Sequence, residues 1–168
     1  LAQGSDVQAQ NALFALGTLH YDVNNQPAAG MATWEEYLQR FPTGRFHVAV
    51  RLSLISAYRT HNRGEDAFRL AHQMQRFALP PNEQRRLTMH LAELHHLTRS
   101  EYQKALPLYR RVARGEDQLA ERAAYLLIDC HLRVNDVPGA RQALHRYLNR
   151  YPKGRYRKQV HRSLFGKP

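Results

Sequence analysis

His90, Glu93, His95 and His96 fall within seven consecutive positions, and imidazoles beside a carboxylate are the side chains that bind metals and move protons. Glu93 and His96 have the Glu-x-x-His spacing of carboxylate-bridged metal sites, which need a second such pair and two further carboxylates. The chain offers neither. A zinc-protease helix needs two histidines four apart around a glutamate, so that both rings share one face; His90 and His95 are five apart. The expectation is that His96 packs between helices where a tyrosine would serve, that the other rings line a surface, and that no metal or cofactor is bound. Ten histidines nonetheless keep pH sensitivity open.

Nucleophilic chemistry has as little support. Ser53, Ser56, Thr88 and Ser163 lie in helical stretches without a His-Asp partner nearby in sequence, and the nine glycines are scattered singly instead of forming a phosphate-cradling loop. Cys130 is the only cysteine, so no intrachain disulfide exists, and its place on an apolar helix side suits a small buried hydrophobe. The chain is therefore not expected to be an enzyme.

The elements that carry these residues are written more than once. Tyr37-Leu38-Gln39-Arg40-Phe41-Pro42-Thr43-Gly44-Arg45-Phe46 returns as Tyr147-Leu148-Asn149-Arg150-Tyr151-Pro152-Lys153-Gly154-Arg155-Tyr156. Val50, Ser53 and Leu54 likewise return as Val160, Ser163 and Leu164. Between the copies, a small residue (Gly30, Ala67, Ala105, Ala140) sits nine positions after a ring (Tyr21, Tyr58, His96, His131), at steps of 37, 38 and 35. Such periods belong to helix-turn-helix units in which a small side chain lets the two helices approach closely. Breakers fall within each unit at 24–27, 62–64, 98–100 and 135–138, and between units at 42–44, 79–82, 114–117 and 152–154. Apolar residues between them follow helical spacing, as Leu52, Ile55 and Tyr58 do.

The spacing predicts an all-α, single-domain solenoid of four repeats, about 7–43, 44–80, 81–115 and 116–153, closed by a capping helix over 155–165. Tyr156, Val160 and Leu164 give that last helix its apolar face. A truncated fifth repeat is the other reading of the same segment.

The pattern resembles the tetratricopeptide repeat, carried by Leu16-Gly17 with Tyr21, Tyr58 with Ala67, Ala105 with Tyr109, and Ala140 with Tyr147 and Pro152. The third unit departs from it, with His96 at the ring position and Arg114-Gly115 for the closing proline. The aromatic-Leu-x-Arg-aromatic-Pro-x-Gly segments also resemble repeat ends of bacterial cell-envelope proteins: the outer-membrane assembly lipoprotein, the Tol-Pal-associated coordinator and the repeat tails of FecR-type sensors. The resemblance implies a right-handed superhelix, a protein-protein interaction scaffold and a periplasmic or envelope location, with the cytoplasm as the alternative. It also implies that the first helix of each unit lines a concave groove. Counted from the ring positions, the stripe there is Ala15, Leu19 and Asp22; Leu52, Ser56 and Arg59; His90, Leu94 and Leu97; and Tyr125, Asp129 and Arg133. Asp22, Ser56, Arg59, His90, Tyr125, Asp129 and Arg133 are its candidate partner-binding residues, suited to an extended or helical peptide.

Charge suggests a second surface. The formal net charge is +11, and no acidic side chain follows Asp136. Arg155, Lys158 and Arg162 share a face of the predicted last helix, where they would speed encounter with an acidic protein. Nucleic acid is disfavoured because the neighbouring tyrosines are claimed by repeat packing and no nucleic-acid motif is present, while an anionic lipid stays an option. A helical-repeat module binding nucleic acid or an anionic surface is thus the alternative function. No apolar run is long enough to cross a bilayer. The chain starts at Leu1 without an initiator methionine, so a processed form or a domain of a longer protein is expected.

Overall fold

Asn25, Asn62, Ser100 and Asn135 have φ of 52°, 59°, 55° and 57°, the left-handed conformation that turns the chain after a helix. They recur at the 37, 38 and 35 steps of the sequence pattern, one in the turn of each unit. The structure, a computed structural model, describes residues 2–160. It is all-α, with no strand among the described residues. Four helix pairs follow one another: α1 (Ala2–Thr18) with α2 (Pro27–Arg40), α3 (His47–Thr60) with α4 (Gly64–Met74), α5 (Pro81–Glu93) with α6 (Tyr102–Val112), and α7 (Gln118–Arg133) with α8 (Val137–Arg150). Pro27 and Pro81 open their helices, where a missing N–H costs nothing. Asp117 and Asp136 cap α7 and α8 by accepting from the Ala120 and Gly139 amides, both at 2.9 Å. The expected last helix is seen from Arg157 to Val160; its remainder to Phe165, with Arg162, lies outside the described residues.

The chain forms two compact units, one ending at Ala78 and the other starting at Leu79. The core of the first includes Trp34, Tyr37, Leu54, Ile55 and Met74. In the second, α7 is buried on two sides. Ala123 and Cys130 join Met89, Ala105 and Tyr109 in one cluster, while Ile128 joins Ala143, Tyr147 and Val160 in another. Gly30, Ala67, Ala105 and Ala140, the small residues of the repeat pattern, are all buried.

Two of the first helices contain a π turn. Leu19–Val23 continues α1 and Leu94–Thr98 continues α5, with the Asn24 and Arg99 amides reaching back five residues to the Leu19 and Leu94 carbonyls. A π turn admits one residue more than the α-helical path. The register before it therefore shifts by one in the first and third pairs. Counting back from the rings without this shift sets Ala15 and His90 level with Tyr125. The structure sets Phe14 there instead: Phe14 stacks on Phe46 at 4.4 Å as Tyr125 stacks on Tyr156 at 4.7 Å. The same shift makes Met89, in the core, the counterpart in the third pair.

With this register, one polar arrangement appears at both ends of the array. The Tyr37 hydroxyl, at the end of α2, donates to Gln10 Oε1 on α1 (3.1 Å) and accepts from the Phe46 amide at the start of α3 (2.9 Å). Gln10 Oε1 also accepts from the Arg45 amide at 2.8 Å. Tyr147 repeats this with Glu121 (2.8 Å) and the Tyr156 amide (3.0 Å), and Glu121 accepts from the Arg155 amide at 2.6 Å. Each clasp occupies amides at a helix start, which have no partner within the helix. Glycine is required beside it. A Cβ on Gly44 would stand 2.7 Å from the Tyr37 hydroxyl, and one on Gly154 2.5 Å from that of Tyr147.

Arg85 holds the register position of Gln10 and Glu121 and serves the third pair by other chemistry. Its guanidinium donates twice to Asp117, at 2.6 Å each, and to the Val112 carbonyl at 3.2 Å.

Two outcomes follow from this packing. Tyr147→Phe leaves the Tyr156 amide and Glu121 without the hydroxyl and is expected to cost about 1–3 kcal/mol in urea denaturation. Ala140→Leu is expected to overpack the α7–α8 crossing by a similar ~1–3 kcal/mol. Unchanged midpoints would contradict the clasp in the first case and the close crossing in the second.

Candidate interaction surface

A surface that binds a partner must present side chains that the fold does not already consume. In the first unit Asp22 is exposed on the π turn that ends the first helix, and Ser56 and Arg59 are half-buried on α3. The ring position of the second pair is fully committed. Tyr58 donates to Glu35 at 2.6 Å, Arg63 donates to the same oxygen at 2.9 Å, and the guanidinium lies 4.1 Å over the Tyr58 ring. Burial, then the Glu35 hydrogen bond, pushes the Tyr58 phenol well above its usual value.

In the second unit, Tyr125, Asp129 and Arg133 form one stripe along α7 at i, i+4 and i+8. Asp129 and Arg133 come within 3.6 Å, and Arg133 is exposed. Asp129 also accepts from His96 Nε2 at 2.9 Å, which together with Arg133 holds its carboxyl below the usual range. Tyr125 is half-buried and spends one ring face on Tyr156. His90 is half-buried on α5.

The histidine cluster is dispersed among separate partners. His96 is buried, with Nδ1 at 3.2 Å from the Tyr109 hydroxyl and its ring edge-on to Tyr102 and Tyr109. His95 pairs with Glu101 at 2.6 Å, and Glu93 pairs with Arg122 at 2.7 Å. Among the described residues no three metal-ligating side chains are arranged to hold an ion. The Cys130 thiol donates to the Tyr102 carbonyl at 3.3 Å, and burial, then Asp129, pushes its pKa up to about 12. A thiol so placed is poorly nucleophilic.

One feature does not follow from the repeat pattern. Leu16, Leu19 and Val23 are 42%, 45% and 70% exposed and follow one another at i, i+3 and i+7. The heptad-like spacing was available as a signal, but Leu16 is also the leucine of the Leu-Gly pair that marks the family, which suggests a packing residue. The basic end, by contrast, was expected from the charge distribution. Arg155 and Lys158 are exposed, and the backbone of Arg155 is tied to Glu121 while its side chain is not.

Comparison with known proteins places the fold. The tetratricopeptide repeat family model matches residues 96–161, from the third ring position to the start of the last helix. A tetratricopeptide repeat protein from Parabacteroides merdae has a similar structure, with a TM-score of 0.74 at 15% identity over 92% of this chain. The likeness spans 58% of that protein's chain. Two structures of nearly identical TPR-like repeats from Podosopora anserina give TM-scores of 0.67 and 0.65, each at 14% identity over 86% of this chain and 75% of theirs. No curated protein matches significantly. The fold is that of tetratricopeptide-type helix pairs.

Acid tests the carboxylate network of the second unit. Asp117 is lowered to about 2, first by Arg85, and Glu101 to about 2, first by Lys104 and then by His95. A carboxyl that is more acidic folded than unfolded favours folding while ionised. Its contribution is full above about pH 4 and fades toward about pH 2. The urea midpoint is expected to fall across that window, and to fall less steeply in the Asp117→Asn, Glu101→Gln double variant. Equal slopes in both proteins would contradict the assignment.

Proposed function

We propose that the chain is a scaffold that binds another protein through the first helices of its pairs. The observation that carries this is the exposed apolar row Leu16, Leu19 and Val23 with Asp22 beside it, on a fold of tetratricopeptide-type helix pairs. The row spans two turns and matches the anchor spacing of an amphipathic helix laid against a groove. In the first unit Asp22, Ser56 and Arg59 supply polar groups that orient such a segment. In the second unit Tyr125, Asp129, Arg133 and His90 are that unit's own polar candidates.

The basic end acts on encounter. Arg155 and Lys158 favour an acidic partner, and their charge acts mainly on association rate and salt dependence. The cell-envelope placement rests on the two aromatic-Pro-x-Gly segments and is part of the same proposal. Fractionation of the source cells tests it, and recovery wholly in the cytosol would overturn it.

A photo-crosslinker placed at Leu19 in the native cell identifies the partner. The Leu16→Asp, Leu19→Asp double variant is then expected to lose capture of that partner by roughly a hundredfold, on the order of 2–3 kcal/mol for two buried apolar anchors. Circular dichroism and the melting midpoint should be unchanged, because both side chains are exposed. Reversal of Arg155 and Lys158 to Glu should slow association while most of the affinity survives. Full capture by the apolar double variant would refute docking on α1, and sub-micromolar DNA binding at about 150 mM salt would favour the nucleic-acid alternative.

A further inference from the structure

The second unit holds a cavity of about 550 Å³ between α6, α7 and α8. It lies on the side of the second helices, away from the α7 stripe of Tyr125, Asp129 and Arg133. Its apolar floor includes Leu127, Ala143 and Tyr147, and its rim carries arginines from two helices. Arg110 is on α6 and Arg114 in the turn that follows it, while Arg146 and Arg150 stand one turn apart on α8. No acidic side chain lines it.

The arginines divide by what they already do. Arg150 is fastened, donating to the Ala113, Arg114 and Gly115 carbonyls at 2.9, 3.5 and 2.5 Å. Arg114 and Arg146 have no carboxylate partner among the described residues. Arg110 is held from behind. His131, buried, donates from Nδ1 to Asp136 at 2.7 Å, which leaves its Nε2 to accept from the Arg110 guanidinium at 3.4 Å. The proton is thereby assigned to Nδ1 by the network. Asp136 bonds His131 and the Gly139 amide and does not itself line the cavity.

We infer that this cavity is a binding site for a small phosphate monoester with an apolar body. Two guanidinium groups without a carboxylate partner, Arg114 and Arg146, beside a third, Arg110, that is positioned by His131 with Asp136 behind it, suit a dianion better than a single carboxylate, and the planar fork of arginine matches phosphate oxygens two at a time. The volume falls within the roughly 300–1,000 Å³ typical of small-molecule pockets, and an apolar floor under a few polar groups is their usual composition. The apolar body lies on Leu127, Ala143 and Tyr147 while the phosphate meets Arg110, Arg114 and Arg146. The site is independent of partner docking on the first helices.

Calorimetric titration at low salt with phenyl phosphate, inorganic phosphate and benzoate tests it. Phenyl phosphate is expected to bind one to one and roughly tenfold more tightly than either of the others, because only it combines the dianion with the ring. Arg114→Gln with Arg146→Gln should weaken it by roughly tenfold or more, whereas Arg141→Gln with Lys153→Gln, which removes the same charge outside the cavity, should not. Amide shifts at Gly139 and methyl shifts at Leu127 and Ala143 in the unaltered protein provide a second reading should the first double variant fail to fold. Absence of saturable binding, equal weakening by both double variants, or shifts that avoid these residues would each overturn the proposal.

Discussion

One tyrosine hydroxyl at each end of the array holds three helices at once. Tyr37 and Tyr147 each sit at the end of a second helix, give a proton to a side chain of the first helix, and take one from the amide that opens the next. A hydroxyl can do both because it is donor and acceptor together; phenylalanine would bury the same ring and satisfy neither group. The clasp explains why the two long sequence copies are so alike. Tyrosine supplies the hydroxyl, proline ends the helix, glycine makes room for the oxygen, and the following aromatic stacks back on the first helix. Where the acceptor is Glu121 instead of Gln10, the bonds are shorter, as a charged acceptor requires.

The intermediate pairs keep the geometry and change the chemistry. Met74 and Val112, at the steps that carry tyrosine elsewhere, are fully buried and have no hydroxyl to offer. In the third pair the lost function passes to Arg85, which reaches both the end of α6 and the cap of α7. This substitution is invisible to an alignment of similar residues. Arginine, glutamine and glutamate share nothing except a polar reach from the same turn of a first helix. The repeat period, the places of the turns and the buried small residues were legible because backbone geometry selects the same residue types every time. The π turns were not, since a single added residue looks like ordinary variation in helix length. That one residue is what moved Ala15 and His90 away from the Tyr125 position.

The chemistry of the histidines was legible only as an absence of pattern. His96 replaces a tyrosine at the ring position, and burial obliges both its nitrogens to find partners. Tyr109 and Asp129 provide them, the latter from the following pair. Glu93 goes to Arg122 and His95 to Glu101. Residues neighbouring in sequence therefore face different elements, because successive positions on a helix point about 100° apart. The spacing matches no metal-site pattern, and it could not name the partners, which lie up to 33 positions away.

The same pairings decide where the charge of the protein is felt. Of the eight acidic residues after Ala78, six are bonded: Glu93, Glu101, Asp117, Glu121, Asp129 and Asp136. They face arginine, lysine, histidine or backbone amides that structure requires. Cations outnumber them, so the surplus must appear where no carboxylate can follow. Arg114 and Arg146 around one cavity, and Arg155 and Lys158 near the end, are among the places where it does. Composition alone reports an excess of +11 and a sequence free of acid after Asp136. It does not separate Arg150, whose charge is spent on three carbonyl oxygens, from Arg146 one turn earlier, whose charge is not. An internal network that engages six of these carboxylates thus leaves the surplus positive charge on particular side chains instead of spreading it evenly.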